Sequence, residues 1–580
     1  MSWTVRAPWT KQLKSPINNG KFTESLKPAD FDPYNLRLAG ISTAGRLGFF
    51  IDYSELSEAG THTFYVIRTH GSTGAIAVQY STGGDGHNNV TGFLSWADGE
   101  LSIKSFTVAV TPAQLTNHQT NLGLGEHRIW ALLSNPINGA VLHFGNEHTR
   151  AYGVIDNNVL ASDANAVFYD ASAGSNGTGT QASPYNNPHD AMSNIGSKRY
   201  FYGKGTTTVD TSYEATPLGG SRFGLTPPPH RESESERLYI RAWGTDTWLI
   251  TGATRAGFII ENGESYHTYK NIDFDDLATA IAYYYVDSNG INIEGCNASN
   301  LVIPDTGNIS AYGLWGVDGG RVWRCTADTV SANGSTSNEN TALFQTYNGK
   351  NISVQRCEAS NCSYLTYWKN APDAFETAGS VRFCIVNTFR GVGYRAAGGP
   401  SIPHSYTIAQ FNIFKPGDRV ESPDLTHRLG SFDASGSNNA EKHWWTNNVF
   451  YKGTVAITGY RWHDAVIMNN IFLDCATVWR EEGDSTGRGA EIELADYNCE
   501  FGTTSATRKY SWKDLDYADA ATLNAVNSAF AGNDINQNPL FTDPANGDFS
   551  LQAGSPCLTG GPDGSMQGAL VDDFYTIGVN

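Results

Sequence analysis

The sequence predicts an all-β chain: an N-terminal β-sandwich followed by a right-handed parallel β-helix. Two observations predict it. Between Tyr269 and Phe501 a short strand-forming phrase keeps returning, as YKNIDF, IEGCNA, VWRCTA, VQRCEA, VRFCIV, QFNIF, TNNVF and MNNIF, with YNCEF as a ninth copy. Its anchors are Asn271, Cys296, Cys325, Cys357, Cys384, Asn412, Asn448, Asn470 and Asn498, at spacings of 22 to 36 residues. Upstream, between 36 and 160, short runs alternate apolar and polar residues with a period of two.

Irregular spacing separates this repeat from leucine-rich and helical repeats, in which every residue of the unit packs on its neighbour. Here the loops change length while the strand phrase survives, which is the behaviour of stacked coils with loops projecting sideways. Coils about 4.8 Å apart would stack the four anchor cysteines in one column and continue it with asparagines. Stacked Asn side chains can pass hydrogen bonds from coil to coil. The cysteines read as small buried hydrophobes, because neighbours in such a column point the same way and suit a disulfide poorly.

Taken in order, residues 1–35 form a polar leader or docking segment with Pro8, Pro16 and Pro28. Residues 36–160 carry the strand runs RLGFFIDY, HTFYVIRT, AIAVQYST, KSFTVAVT and HRIWALLS, expected to form the sandwich. Here SEAGTHTFYVIRTHGSTGAIAVQYST, GELSIKSFTVAVT and LGEHRIWALLSNPINGAVL, closing on YGVIDNN, resemble the Calx-beta family. The resemblance implies a spacer or adhesion module. It also implies calcium held by acidic loop residues, and Glu58, Glu126 and Asp156 stand where that pattern places acids. No other cofactor is expected.

Residues 161–580 make the β-helix. Its opening, VFYDASAGSNGTGTQASPYNNPHDAMSNI, and its tail, NPLFTDPANGDFSLQAGSPCLTGG, resemble carbohydrate-active parallel β-helix proteins of the polysaccharide lyase and tailspike depolymerase kind. A short helix after the opening strand is expected to cover the open end of the stack. The run Asp273 to Asp276 reads as a turn within its phrase rather than as a calcium cage.

The composition excludes some functions. A formal net charge of −19, from 58 acidic against 39 basic residues, argues against nucleic acid as a partner. No apolar run reaches the roughly 18 residues that a membrane span needs. The first residues lack an apolar core of the signal-peptide type, so the expected location is extracellular or on a virion without a signal in this chain. The expected partner is a polysaccharide, most simply an anionic one, and a tailspike would also be a homotrimer.

Chemistry is expected on the strand face that precedes each anchor, which is rich in aromatic rings suited to sugar faces. It contains Tyr283, Tyr285, Trp315, Phe344, Tyr347, Phe375, Tyr394, Tyr460 and Trp462. Alternation would leave about half of them outside. Ionisable residues crowd into the same coils. Hydrolysis needs two carboxyls, which Asp373 with Glu376, or either with Asp433, would supply. Elimination on a uronic acid needs a cation for the substrate carboxylate and a base for the adjacent proton. Arg395 or Arg461 would fill the first role, and His427, Lys369 or a tyrosine the second. Glu376, Arg395, His427 and Asp373 are therefore the catalytic candidates. Tyr394, Tyr460, Arg461, Trp462 and Lys369 are the substrate-binding ones. The leading expectation is a polysaccharide-degrading enzyme, a lyase or a glycoside hydrolase. The alternative is a non-cleaving glycan adhesin or tailspike.

Overall fold

The computed structural model describes residues 44–569 apart from loop segments, including 210–223, 333–340, 371–376, 388–391, 398–404, 416–427 and 482–491. The leader at 1–35 lies outside the described residues. The chain is all-β, a sandwich followed by a parallel β-helix, and it divides into two compact units.

The first unit holds the sandwich. Its four-stranded sheet runs Lys104–Ala109, Thr61–Thr69, Arg46–Ile51, Val141–Leu142, and its five-stranded sheet Tyr53–Leu56, Arg150–Ile155, His127–Ile137, Ile76–Gly84, Thr91–Trp96. The two-residue period has its expected effect: in Lys104–Ala109, Phe106 and Val108 are buried while Ser105, Thr107 and Ala109 are exposed. Leu47, Phe49, Phe64, Val66, Val78, Ile129 and Leu133 fill the space between the sheets. Buried Arg68 ties the surrounding loops by donating to the carbonyls of Ala44, Ala97, Glu100, Thr73 and Gly74.

Four parallel strands of the first coils belong to the same unit: Ala166–Asp170, Tyr200–Thr208, Leu238–Ala242 and His267–Lys270. The expected helix is Pro188–Ser193. Asn187 caps it by accepting from the N–H groups of His189 and Asp190, and it buries Pro188, Ala191 and Met192.

The second unit is a stack of coils with three parallel sheets. In a typical coil, Val317–Trp323 lies in the first sheet, Thr326–Ala332 in the second and Thr341–Tyr347 in the third. Aromatic rings report the stacking directly. Phe414, Phe450 and Phe472 of the second sheet lie 4.7 and 5.1 Å apart with nearly parallel planes. Inside the third sheet, Trp368 occupies the lumen so fully that a Cβ on Gly379 would lie 2.2 Å from its ring, which reserves that position for glycine.

The corner between the first and second sheets explains the repeated phrase. One residue there takes a left-handed conformation: Gly295, Arg324, Arg356, Phe383, Phe411, Asn447, Asn469 and Tyr497 all have φ between 51° and 61°. This conformation costs a non-glycine residue about 1–2 kcal/mol. It also turns the N–H of the following anchor away from the backbone ladder. The next anchor's side chain receives that N–H. Asn412 N donates to Asn448 Oδ1 at 3.0 Å, Asn448 N to Asn470 Oδ1 at 3.0 Å, and Asn470 N to Asn498 Oδ1 at 3.1 Å. Each of these side chains also donates along the column, and the last one ends on Asp534. Sulfur plays the same part less strongly where the column is cysteine, with Cys357 N to Cys384 Sγ at 3.4 Å. All eight cysteines are free and buried, and burial raises the thiol pKa of Cys296, Cys325 and Cys357 well above its ordinary value.

One anchor is corrected. Asn271 is not in the column; with φ of 54° it holds the left-handed corner, equivalent to Gly295. Ile272 takes the column position, since Asn297 N bonds Ile272 O just as Thr326 N bonds Cys296 O. The acidic run that follows is also not simply a turn. Asp273–Asp275 is a strand of the second sheet, and only Asp276 turns, with φ of 51°. Its acids accept hydrogen bonds from the next coil, Asn297 to Asp273 at 2.8 Å and Ser299 to Asp275 at 2.7 Å.

Candidate functional site

The third sheet has an inner and an outer face, and its register sorts the candidates into rows. Tyr312 and Phe344 pair in register, and the Tyr312 hydroxyl donates to the carbonyl of Cys296 in the anchor column at 3.0 Å. That row faces the lumen and Phe344 is fully buried in it, as is Tyr283 two positions along, where it pairs with Leu314. Trp315 and Tyr347 instead pack against each other, with ring centres 4.6 Å apart, on the outer face. Tyr285 and Phe375 lie outside the described residues.

Two register rows cross the coils of the charged region. The first runs Gln345, Tyr367, Gly393, Ser431, Thr458, Arg480. Two positions along each strand, the second runs Tyr347, Lys369, Arg395, Asp433, Tyr460. Parallel strands about 4.8 Å apart therefore carry two cations, a carboxylic acid and a phenol at successive steps of one row. Beside them the first row shrinks to Gly393 and Ser431. Tyr394 pairs with Trp368 and Phe432 in a different row, the one whose Trp368 fills the lumen. Trp462 belongs to a small two-stranded sheet, Ala440–Glu441 with Trp462–His463, and not to the third sheet. Asp373, Glu376, His427 and Arg461 lie outside the described residues. Sequence reading missed Gln345, which is fully buried with neither amide atom hydrogen-bonded. Its only signal was a polar residue inside an otherwise apolar strand, ALFQTY.

The calcium candidates meet a different chemistry. Glu58 is exposed in the turn after Tyr53–Leu56. Glu126 is 2% exposed, and its carboxylate takes Arg128 at 2.8 Å, Lys270 at 3.1 Å and Arg241 at 3.2 Å. Asp156 takes Lys270 at 2.7 Å and Arg241 at 2.9 Å, and Glu55 takes Lys270 at 2.9 Å. Calcium wants six to eight oxygen ligands, whereas these oxygens already accept from three cations, so the residues present do not fit the ion. Among the described residues, no group of three or more His, Cys, Asp or Glu is arranged to hold a metal ion.

Burial opposes ionisation of Glu126, but Lys270, Arg128 and Arg241 outweigh it and bring its pKa down to about 2; Arg241 and Lys270 depress Asp156 likewise. Groups held below their unfolded values near 4 give stability that is complete above about pH 4. That stability is lost as pH falls toward the folded values. Urea midpoints are thus expected to fall between about pH 4 and 2, and less steeply in Lys270→Met, which lacks the three ion pairs of Lys270. Parallel acid limbs for the two proteins would contradict this.

No family model and no curated protein matches the sequence. Among the described residues no helix is long and apolar enough to cross a membrane. Among solved structures, the apo-form Calx CBD1 domain is similar at 18% identity with a TM-score of 0.16, covering 19% of this chain and 95% of that one. The catalytic domain of a GH87 alpha-1,3-glucanase in complex with nigerose is similar at 11% identity with a TM-score of 0.24, covering 83% and 91%. A family 28 exopolygalacturonase of Yersinia enterocolitica is similar at 7% identity with a TM-score of 0.26, covering 76% and 97%.

Proposed function

We propose that this protein degrades an acidic polysaccharide on the outer face of the third sheet, by β-elimination at a uronic acid unit. The supporting observation is the row Lys369, Arg395, Asp433, Tyr460, whose members pair strand to strand. Two adjacent cationic positions suit a sugar carboxylate, and neutralising it acidifies the proton on the neighbouring carbon C5. Tyr460, as its phenolate, takes that proton. Its electron pair becomes the C4=C5 double bond, the C4–O bond breaks, and the departing oxygen acquires a proton. Hydrolysis would require two carboxyls, and this row carries one, Asp433. The acidic remainder of the chain disfavours loose binding of anionic glycan elsewhere and leaves the cationic row to draw it in. We place this activity outside the cell or on a virion surface.

The test is a release assay on alginate, pectin, ulvan and bacterial capsules. The expected result is ultraviolet absorbance from the new double bond, rising together with new reducing ends. Reducing ends without that absorbance would mean hydrolysis instead. Binding without products would assign the row to a glycan adhesin, and neither binding nor products on any acidic glycan would remove the reading.

A further inference from the structure

We infer that Glu55, Glu126 and Asp156 form a cation socket whose occupants are the chain's own Lys270 and Arg241, so that the sandwich is held to the first coils by an internal, calcium-independent clasp. Three features of the first unit carry this. The cations come from neighbouring coils at one register, since Arg241 pairs with Lys270 across the parallel strands. They reach acids far away in sequence: 115 residues separate Arg241 from Glu126, and 144 separate Lys270 from it. The charges close: three carboxylates meet Lys270, Arg241 and Arg128, and the Arg128 guanidinium also lies over the rings of Tyr152 and Tyr239, 5.4 Å from each centre.

An ammonium at 2.7–3.1 Å from three carboxylates occupies the position that a divalent ion would need. The neighbouring contacts are also polar and matched. The Tyr202 hydroxyl accepts from Ala161 N at 3.0 Å, and the Tyr200 hydroxyl donates to the Glu126 carbonyl at 3.3 Å. Removing one member of such a buried set leaves its partners charged and unpaired, which costs far more than a surface pair does. The socket thus turns acids of the kind that bind calcium into a permanent joint, and the sandwich can hold its place without responding to calcium.

The experiment uses the full chain. Wild type should show the same melting temperature in millimolar CaCl2 and in EDTA, and no heat on calorimetric titration with CaCl2. Lys270→Ala should melt lower by about 5 °C or more, and CaCl2 should recover part of that loss by binding the vacated acids. Should Lys270→Ala not fold, Glu55→Gln, at a more exposed edge of the socket, replaces it and should also melt lower, with the same melting temperature in CaCl2 and in EDTA. A wild-type protein stabilised by CaCl2 would overturn the inference. So would Lys270→Ala, or in its place Glu55→Gln, melting like wild type.

Discussion

Arg395→Ala is expected to lose 100-fold or more of activity, or of affinity, on an acidic glycan. Arg395 stands between Lys369 and Asp433 in one register row, one coil from each. A charge-assisted contact to a carboxylate is worth about 2–3 kcal/mol, and every 1.4 kcal/mol is about tenfold. Lys369 sits one coil away but presents a single point of charge, so it cannot reproduce the paired donors of a guanidinium. Arg395→Lys should therefore recover only part of the loss. A control separates this from general attraction: Lys452 is an exposed cation on a corner of another coil, and Lys452→Ala should leave activity unchanged. Equal losses in both variants would mean that the chain merely steers anions. Activity within threefold of wild type in Arg395→Ala would move the site elsewhere on the stack.

How much of this was legible in the sequence depends on how local the cause is. The coil was legible because its corner needs the same side-chain type at each turn, and the Cys and Asn columns stand at those positions. The misplaced anchor shows the limit. Asparagine serves the corner twice, first as a residue that tolerates positive φ and then as a ladder side chain. TNNVF and MNNIF contain both, as Asn447 with Asn448 and Asn469 with Asn470. YKNIDF contains one Asn, and the backbone takes it for the bend, leaving Ile272 in the column. The charged row was half legible. The charged residues were visible as a crowd, but loops of unequal length hide which of them share a register; only strand pairing put Lys369, Arg395, Asp433 and Tyr460 together and Tyr394 in another row. The calcium expectation meets the opposite limit. Glu126 and Asp156 were read with their sequence neighbours, while the charges that decide their chemistry arrive from residues 241 and 270.

Asn448→Ala is expected to be the most damaging single change in the stack, at about 2–6 kcal/mol. Asn448 Oδ1 accepts both from Asn412 N and from Asn412 Nδ2, each at 3.0 Å, and Asn448 Nδ2 donates to Ala409 O at 2.9 Å. Alanine would leave the Asn412 N–H and one of the two Asn412 Nδ2 hydrogens without an acceptor, the other still donating to Val381 O at 3.0 Å, at a position with no solvent exposure. Each such orphan costs about 1–3 kcal/mol, whereas a lost bond with both partners resolvated costs much less. The left-handed residue beside each anchor is tolerated only because the ladder receives the N–H that the bend displaces, so the strain at Phe411 would lose its compensation as well. Cys357→Ala supplies the contrast. Its thiol donates to the carbonyls of Gln355 and Val322, at 3.3 and 3.5 Å, and receives the Cys325 N–H, all of them weak bonds to sulfur. Truncating that small side chain should cost about 1 kcal/mol. Urea unfolding measures both, and native-state hydrogen exchange locates the effect, with the amide of Asn412 expected to lose protection in Asn448→Ala before those of the Cys coils. Equal midpoints for the two variants would show that the column works by packing alone and that hydrogen bonding along it contributes nothing.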